Sequence, residues 1–252
     1  MIGSIRKIGL SLVLAGVLGV NANALCILEN YCEGVHVGVG GFYENTDTSG
    51  ANINRSAGFI AIGARDLFLK RINLSGDIKV GYGNTNISGT HLSQFNKNEN
   101  LLYIELMPKI GFNLLKGDSQ LFINLFAMSD VILASKNGVG RLMVYMGPEI
   151  EGRLRISEKV KLTYSFGYGY AAAGYVFGGS VSRIHGYNQA FLFSLGIQTK
   201  ISENVGFYIK GLGKYYDLNA SEVVNPKGNN SSSISMPKSN GWQAGLEAGI
   251  AF

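Results

Sequence analysis

The side chains that most often carry chemistry are scarce in this chain of 252 residues, which has three histidines and two cysteines. His185 stands beside Ser180, Ser182 and Arg183, the nearest approach to a nucleophile–base grouping. No Asp or Glu lies in that stretch to orient the imidazole, and general acid–base work needs a partner within hydrogen-bond reach. His91 falls in an Asn/Ser-rich connection. His36 falls in an alternating segment, where filling an interior is the simpler role. Cys26 and Cys32 enclose five residues, a spacing foreign to C-x-x-C redox and zinc motifs. In an oxidising compartment the pair fits a small disulfide loop. No phosphate-binding loop, dinucleotide fingerprint or metal-ligand spacing appears. These residues predict a protein that is not an enzyme and uses no metal or other cofactor.

The elements that would position any site begin after an export signal. Arg6 and Lys7 precede the apolar run Ile8–Val20, and Ala22-Asn23-Ala24 forms an A-x-A cleavage site, so residues 1–24 read as a signal peptide. The run holds 13 residues, short of the ~20 that a membrane-spanning helix needs. Leu25 stands where a lipid-attachment motif wants a small residue, so ordinary cleavage after Ala24 is expected. Cleavage removes two of 22 basic residues, leaving 20 against 17 acidic and a net charge of +3. Near neutrality, with no Lys/Arg cluster, argues against nucleic acid as a partner. The chain has 35 glycines, only 15% charged residues, and no later apolar run long enough to cross a membrane as a helix. Its apolar content must therefore sit in strands.

Ten segments alternate at a period of two, the pattern of a strand whose faces meet different surroundings. They cover Gly34–Tyr43, Ser56–Ala64, Ile72–Gly83, Leu102–Leu114, Leu121–Leu133, Arg141–Arg155, Val160–Tyr170, Phe191–Ile201, Val205–Tyr216 and Trp242–Phe252. One face is apolar. The other carries Asp77, Lys79, Glu105, Lys109, Asp130, Glu149, Glu151, Arg153, Lys210 and Glu247, with both signs mixed. The facing of Ser56–Ala64 stays ambiguous, because both of its faces are small and apolar. Pro108 and Pro148 lie in phase with the apolar faces and predict local bulges. Connections are alternately short and long. Arg65–Arg71, Lys116–Ser119, Ser157–Lys159 and Ser202–Asn204 are short; Glu44–Arg55, Asn84–Glu99, Ala173–Asn188 and Leu218–Lys238 are long, with Ser135–Gly140 the exception. Membrane barrels have this asymmetry and a soluble sandwich has no reason for it. The prediction is all-β: an antiparallel up-and-down transmembrane β-barrel of ten strands, with eight or twelve as the nearest alternatives.

The closing segment sets Trp242, Ala244, Leu246, Ala248, Ile250 and Phe252 against Gln243, Gly245, Glu247, Gly249 and Ala251. It ends on an aromatic residue and resembles the closing strand of bacterial outer-membrane β-barrels. The chain as a whole resembles the broad superfamily of opacity-type and OmpA-like barrels. That resemblance implies an outer-membrane protein with residues 25–33 as a periplasmic segment, 34–252 as the barrel, both termini periplasmic and the long loops extracellular. It implies that Trp242, Leu246, Ile250 and Phe252 belong to the signal read by the assembly machinery. It also implies loops that meet an extracellular ligand or host surface, in adhesion or envelope integrity. The mixed charges would fill the lumen, since a barrel of about eight strands is packed with side chains. A narrow channel for small solutes and a hydrolase at the rim are the alternatives. Tyr175, Val176, Phe177 and Ile184 are expected to seat a partner or fold over the barrel mouth.

Overall fold

The computed structural model describes residues 32–69, 71–89, 98–115, 118–134, 139–177, 181–202, 205–223 and 235–252. The strands are β1 (Cys32–Thr48), β2 (Ala51–Phe68), β3 (Ile72–Gly89), β4 (Asn98–Asn113), β5 (Gln120–Ala134), β6 (Gly140–Arg155), β7 (Val160–Phe177), β8 (Val181–Arg183), β9 (Gln189–Lys200), β10 (Gly206–Leu218) and β11 (Ser239–Ala251). β8 is a three-residue addition to the tip of β7. The other ten pair antiparallel with their chain neighbours, and β11 returns to pair with β1, Thr48 opposite Ser239 and His36 opposite Ala251. The sheet is a closed, ten-stranded, up-and-down barrel. Closure leaves no edge strand, which hydrocarbon would punish with unpaired amides. The predicted signal peptide, Cys26 and His91 lie outside the described residues, and with Cys26 the proposed disulfide.

The exterior is the apolar side. Leu125, Leu195, Leu246 and Val39 are among the most exposed large hydrophobic residues described, while Glu44, Thr85, Asp130 and Asn124 are buried. Aromatic side chains stand out from this surface at two levels. Tyr43, Tyr82, Tyr170, Tyr215 and Trp242 mark one, and Phe68, Phe112, Phe207 and Phe252 the other. The end holding Gly34 and Ala251 is called here the terminal end, and the opposite one the distal end. β2, ambiguous in the sequence, turns Ala57, Phe59 and Ala61 inward and Gly58 and Ile60 outward.

Several boundaries differ from the alternation. A loop expected over Glu44–Arg55 is instead a continuation of β1 and β2, joined by a two-residue turn at Ser49–Gly50. Gly50 has φ 86°, the left-handed region that a side chain would strain. The physical reason for the miss is that both faces are polar here. Glu44, Thr46 and Arg55 point inward, while on the outside Asn45 donates to Asn54 Oδ1 at 2.7 Å and to Asn52 Oδ1 at 3.1 Å. Hydropathy cannot alternate when neither side meets lipid. For the same reason β3 reaches Gly89 and β4 begins at Asn98, inside the predicted Asn84–Glu99 loop. β7 runs to Phe177, beyond the predicted Ala173 boundary.

The prolines also act otherwise than expected. β4 pairs Leu106 with Ser129 and Lys109 with Phe126, leaving Pro108 without a partner on the β5 side only, while Gly76 of β3 still faces it and the register does not change. Pro148 does the same between Met146–Tyr170 and Glu149–Gly167. The bulge lies instead in β7, where Val144 faces Ala173 and Tyr145 faces Ala171, so that Ala172 is extra. It reverses the phase of the strand and brings Gly174 and Val176 inside.

Candidate functional site

The lumen is where polar chemistry is concentrated, and all ten charges predicted for it project there. Their partners arrange them in tiers. Nearest the distal end, Arg55 Nη1 donates to Glu44 Oε1 at 2.5 Å and Arg141 Nη2 to Glu44 Oε2 at 3.2 Å. Arg141 also reaches Asp130 Oδ2 at 3.3 Å, and Lys214 donates to the same oxygen at 2.6 Å. The Arg141 guanidinium lies 4.4 Å from the centre of the Tyr216 ring, and the Tyr216 hydroxyl bonds Thr46. These five charged side chains come from β1, β2, β5, β6 and β10, and none is more than 5% exposed. They bind opposite walls of the barrel to one another.

The middle tier joins Lys79 to Glu105 at 2.7 Å, with Tyr103 donating to the second oxygen of the same carboxylate. Glu247 accepts from Tyr208 at 2.8 Å and pairs with Lys210 at 2.9 Å. The tier nearest the terminal end contains Lys109–Glu149 at 2.8 Å, the forked Arg65–Glu151 contact at 2.6 and 2.7 Å, and His36–Asp77 at 2.8 Å. Arg153 Nε stands 3.4 Å from Glu151, and Arg65 stacks on Phe122. Burying charge is tolerable only when it is paired and hydrogen-bonded, and each of these lumen charges has an opposite partner.

Above the distal tier the lumen turns apolar. Ile53, Ile87, Val139, Met143, Val176, Ile184, Leu218 and Met236 form one buried cluster across the distal end. Ile184 and Met236 belong to the loops, so the loops fold into the mouth. They are also tied together: Glu222 N donates to Arg183 O at 2.8 Å, Met236 N to Ser221 Oγ at 2.8 Å, and Asn219 N to Asn188 Oδ1 at 2.7 Å. Of the residues expected to cover the mouth, Val176 and Ile184 are buried in this cluster.

The terminal end is different. A cavity of about 140 Å³ opens among Gly34, His36, Arg65, Asp77, Lys109, Arg153, Ser165, Ser194 and Lys210. A second, of about 110 Å³, adjoins it and shares Asp77, Lys109, Ser165, Ser194 and Lys210. The inner cavity stops at Lys214, beneath the distal tier. The two cavities form a vestibule at the terminal end.

His185 does find an acid, contrary to what its own loop offers. Its Nε2 bonds Glu222, which arrives from the β10–β11 connection, and Ser182 Oγ donates to the backbone carbonyl of that residue. Both ring and carboxylate are about half exposed. The described residues contain no grouping of three or more His, Cys, Asp or Glu able to hold a metal ion. Glu44, Arg55, Arg65, Arg141 and Lys214 are lumen residues that the sequence argument did not single out. The signal was present: Glu44 continues the even-numbered phase of His36 through Phe42, and Arg55 the phase of Ala57 and Phe59.

No protein family's sequence profile matches the chain, and no curated protein is similar to it. Solved structures are similar in fold. The outer membrane protease OmpT from Escherichia coli matches with a TM-score of 0.58 at 12% identity, over 89% of this chain and 97% of that one. An outer membrane channel from Pseudomonas putida F1 matches at 0.42 and 12%, over 92% and 100%. The beta domain of the Bordetella autotransporter BrkA matches at 0.38 and 11%, over 85% and 98%. The fold is that of the outer-membrane β-barrels. These likenesses do not single out the opacity-type or OmpA-like barrels within it, and at such identities they say nothing of activity.

Proposed function

We propose that this protein is an integral outer-membrane barrel that does not conduct and that works through its distal loops, in adhesion to a surface or in envelope integrity. The observation that carries the reading is the distal closure. The Glu44–Arg55–Arg141–Asp130–Lys214 tier and the apolar cluster above it stand between the terminal-end cavities and the distal loops. The aromatic collars and the apolar exterior between them support a position across a bilayer. The longest connections, β3–β4, β7–β9 and β10–β11, all lie at the distal end, which supports loops outside and termini in the periplasm. The assembly machinery would then read Trp242, Leu246 and Ile250, which face outward on β11, and Phe252, exposed just after it.

Planar-bilayer recording separates this reading from a narrow solute channel. The folded protein should give no steady unitary current steps at moderate voltage; reproducible steps of one amplitude would overturn the closed barrel. The His185–Glu222 contact gives a rim-sited hydrolase one specific handle. Peptide- or ester-cleaving activity that disappears in His185→Ala would replace the non-enzymatic reading.

A further inference from the structure

Above the distal aromatic level, the outer wall of the barrel is built of amides. Asn45, Asn54, Asn86 and Asn98 stand directly opposite one another on β1, β2, β3 and β4, all in the outward phase of their strands. One row nearer the collar, Asn84 faces Asn100, with Ser56 on its other side. Neighbouring strands lie about 4.8 Å apart and successive outward residues about 6.8 Å, so the face is a regular grid whose longer row spans about 14 Å. Some of these amides engage one another. Asn45 donates to Asn54 and Asn52, and Tyr43 donates to Asn54 Oδ1 at 2.6 Å. Asn84, Asn86, Asn98 and Asn100 are exposed and make no side-chain hydrogen bond to another described residue. Each therefore offers two N–H donors and a carbonyl acceptor to whatever lies against the wall.

Charge is sparse beside the grid. Asp47 is bonded by Asn52, and Asp217 pairs with Lys238 at 3.7 Å. Phosphate headgroups call for Arg or Lys, and the cation described here, Lys238, already has its acid. Beneath the amides stand the exposed rings of Tyr43, Tyr82 and Trp242, the first and last with centroids 5.5 Å apart. Such rings mark the level where bilayer headgroups begin. A partner for this face must hydrogen-bond in both directions, carry little charge and lie flat on a side wall. The wall is lateral, so a molecule anchored in the same leaflet meets it, and one arriving along the barrel axis meets the loops instead.

We infer that the amide grid is a docking surface for the uncharged saccharide headgroup of a glycolipid in the surrounding leaflet. Sugar hydroxyls donate and accept as the open amides do, so Asn84, Asn86, Asn98 and Asn100 find partners along a short saccharide. The apolar C–H faces of the sugar rings pack on Tyr43, Tyr82 and Trp242, and the acyl chains continue down the apolar wall below. The site rests on the bilayer placement proposed above and is separate from the loops that fill the mouth.

The test is native mass spectrometry of the folded full chain released from mixed micelles of phosphatidylcholine and digalactosyl diacylglycerol, an uncharged glycolipid. The glycolipid should be retained about fivefold over phosphatidylcholine, the ratio that one net hydrogen bond gives. Phosphatidylglycerol at the same mole fraction should not be enriched. Asn86→Ala combined with Asn98→Ala removes two open amides without touching a described hydrogen bond, so folding should survive; heat-modifiable gel mobility checks this. The preference should vanish in that variant. Equal retention of the two lipids by the unaltered protein, an undiminished preference in the folded double variant, or enrichment of phosphatidylglycerol above the glycolipid would overturn the site. Brominated acyl chains test the placement separately. If they leave Trp242 unquenched, the bilayer reading fails and the site with it; quenching without glycolipid enrichment overturns the saccharide site alone.

Discussion

Glu44 is the residue on which the distal tier turns. Its side chain is 1% exposed, and its two oxygens accept from Arg55 at 2.5 Å and from Arg141 at 3.2 Å. Glu44→Ala leaves the Arg55 guanidinium buried with no carboxylate at all, while Arg141 keeps Asp130. Removing one partner of a buried ion pair costs about 3–5 kcal/mol, because the remaining charge stays desolvated. Arg155→Ala is the contrast. Its ion pair with Asp118 has side chains 40% and 69% exposed, so its loss should cost less than about 0.5 kcal/mol. Reversible urea unfolding from lipid vesicles, followed by tryptophan emission, measures both. Glu44→Met with Arg55→Met should be less destabilised than Glu44→Ala, since it removes the stranded charge together with its partner. A Glu44→Ala protein within about 1 kcal/mol of the unaltered one would refute the premise that the tier is dry and tightly coupled.

Other expectations follow from the same geometry. Trp242, the only tryptophan, is 47% exposed on the outer face of β11 beside Tyr43, so brominated lipid acyl chains should quench its emission strongly; unchanged emission would place it away from lipid. Ile53→Asp puts a carboxylate into the fully buried distal cluster, where Arg55, the cation two residues along the same face of β2, is already engaged by Glu44. The substitution should loosen the loops, and limited proteolysis of intact cells or vesicles should show faster cleavage near Ile184; unchanged resistance would mean that the cluster does not hold the loops. Deleting Phe252 should reduce the amount of folded protein in the outer membrane, and full accumulation of the truncated chain would remove this residue from the assembly signal. Its backbone N–H donates to Val35 O at 2.8 Å, so the deletion also loosens the β1–β11 seam.

Legibility of the fold varied along each strand for a physical reason. Where a strand passes between lipid and lumen, its two faces differ in polarity, and Ile72–Gly83 or Trp242–Phe252 could be read residue by residue. Above the apolar band that contrast vanishes. The ends of β1, β2, β3 and β7 therefore looked like loops, and with them Glu44 and Arg55 were lost from the lumen set. The Ala172 bulge left no trace in composition, because Ala171, Ala172 and Ala173 fit either phase.

The sequence by itself determined the strand period, the ten-fold repetition, the polar and apolar faces, and hence the closed barrel. Those are local properties, written in the order of side chains along one strand. It did not determine who pairs with whom across the lumen. Arg55, Glu44, Arg141, Asp130 and Lys214 come from five strands, and only the register and closure of the barrel bring them together. The same holds for His185 and Glu222, which lie 37 residues apart. Whether a lumen of mixed charges is a pore or a plug depends on those distances, which no single strand records and only the closed tertiary structure sets.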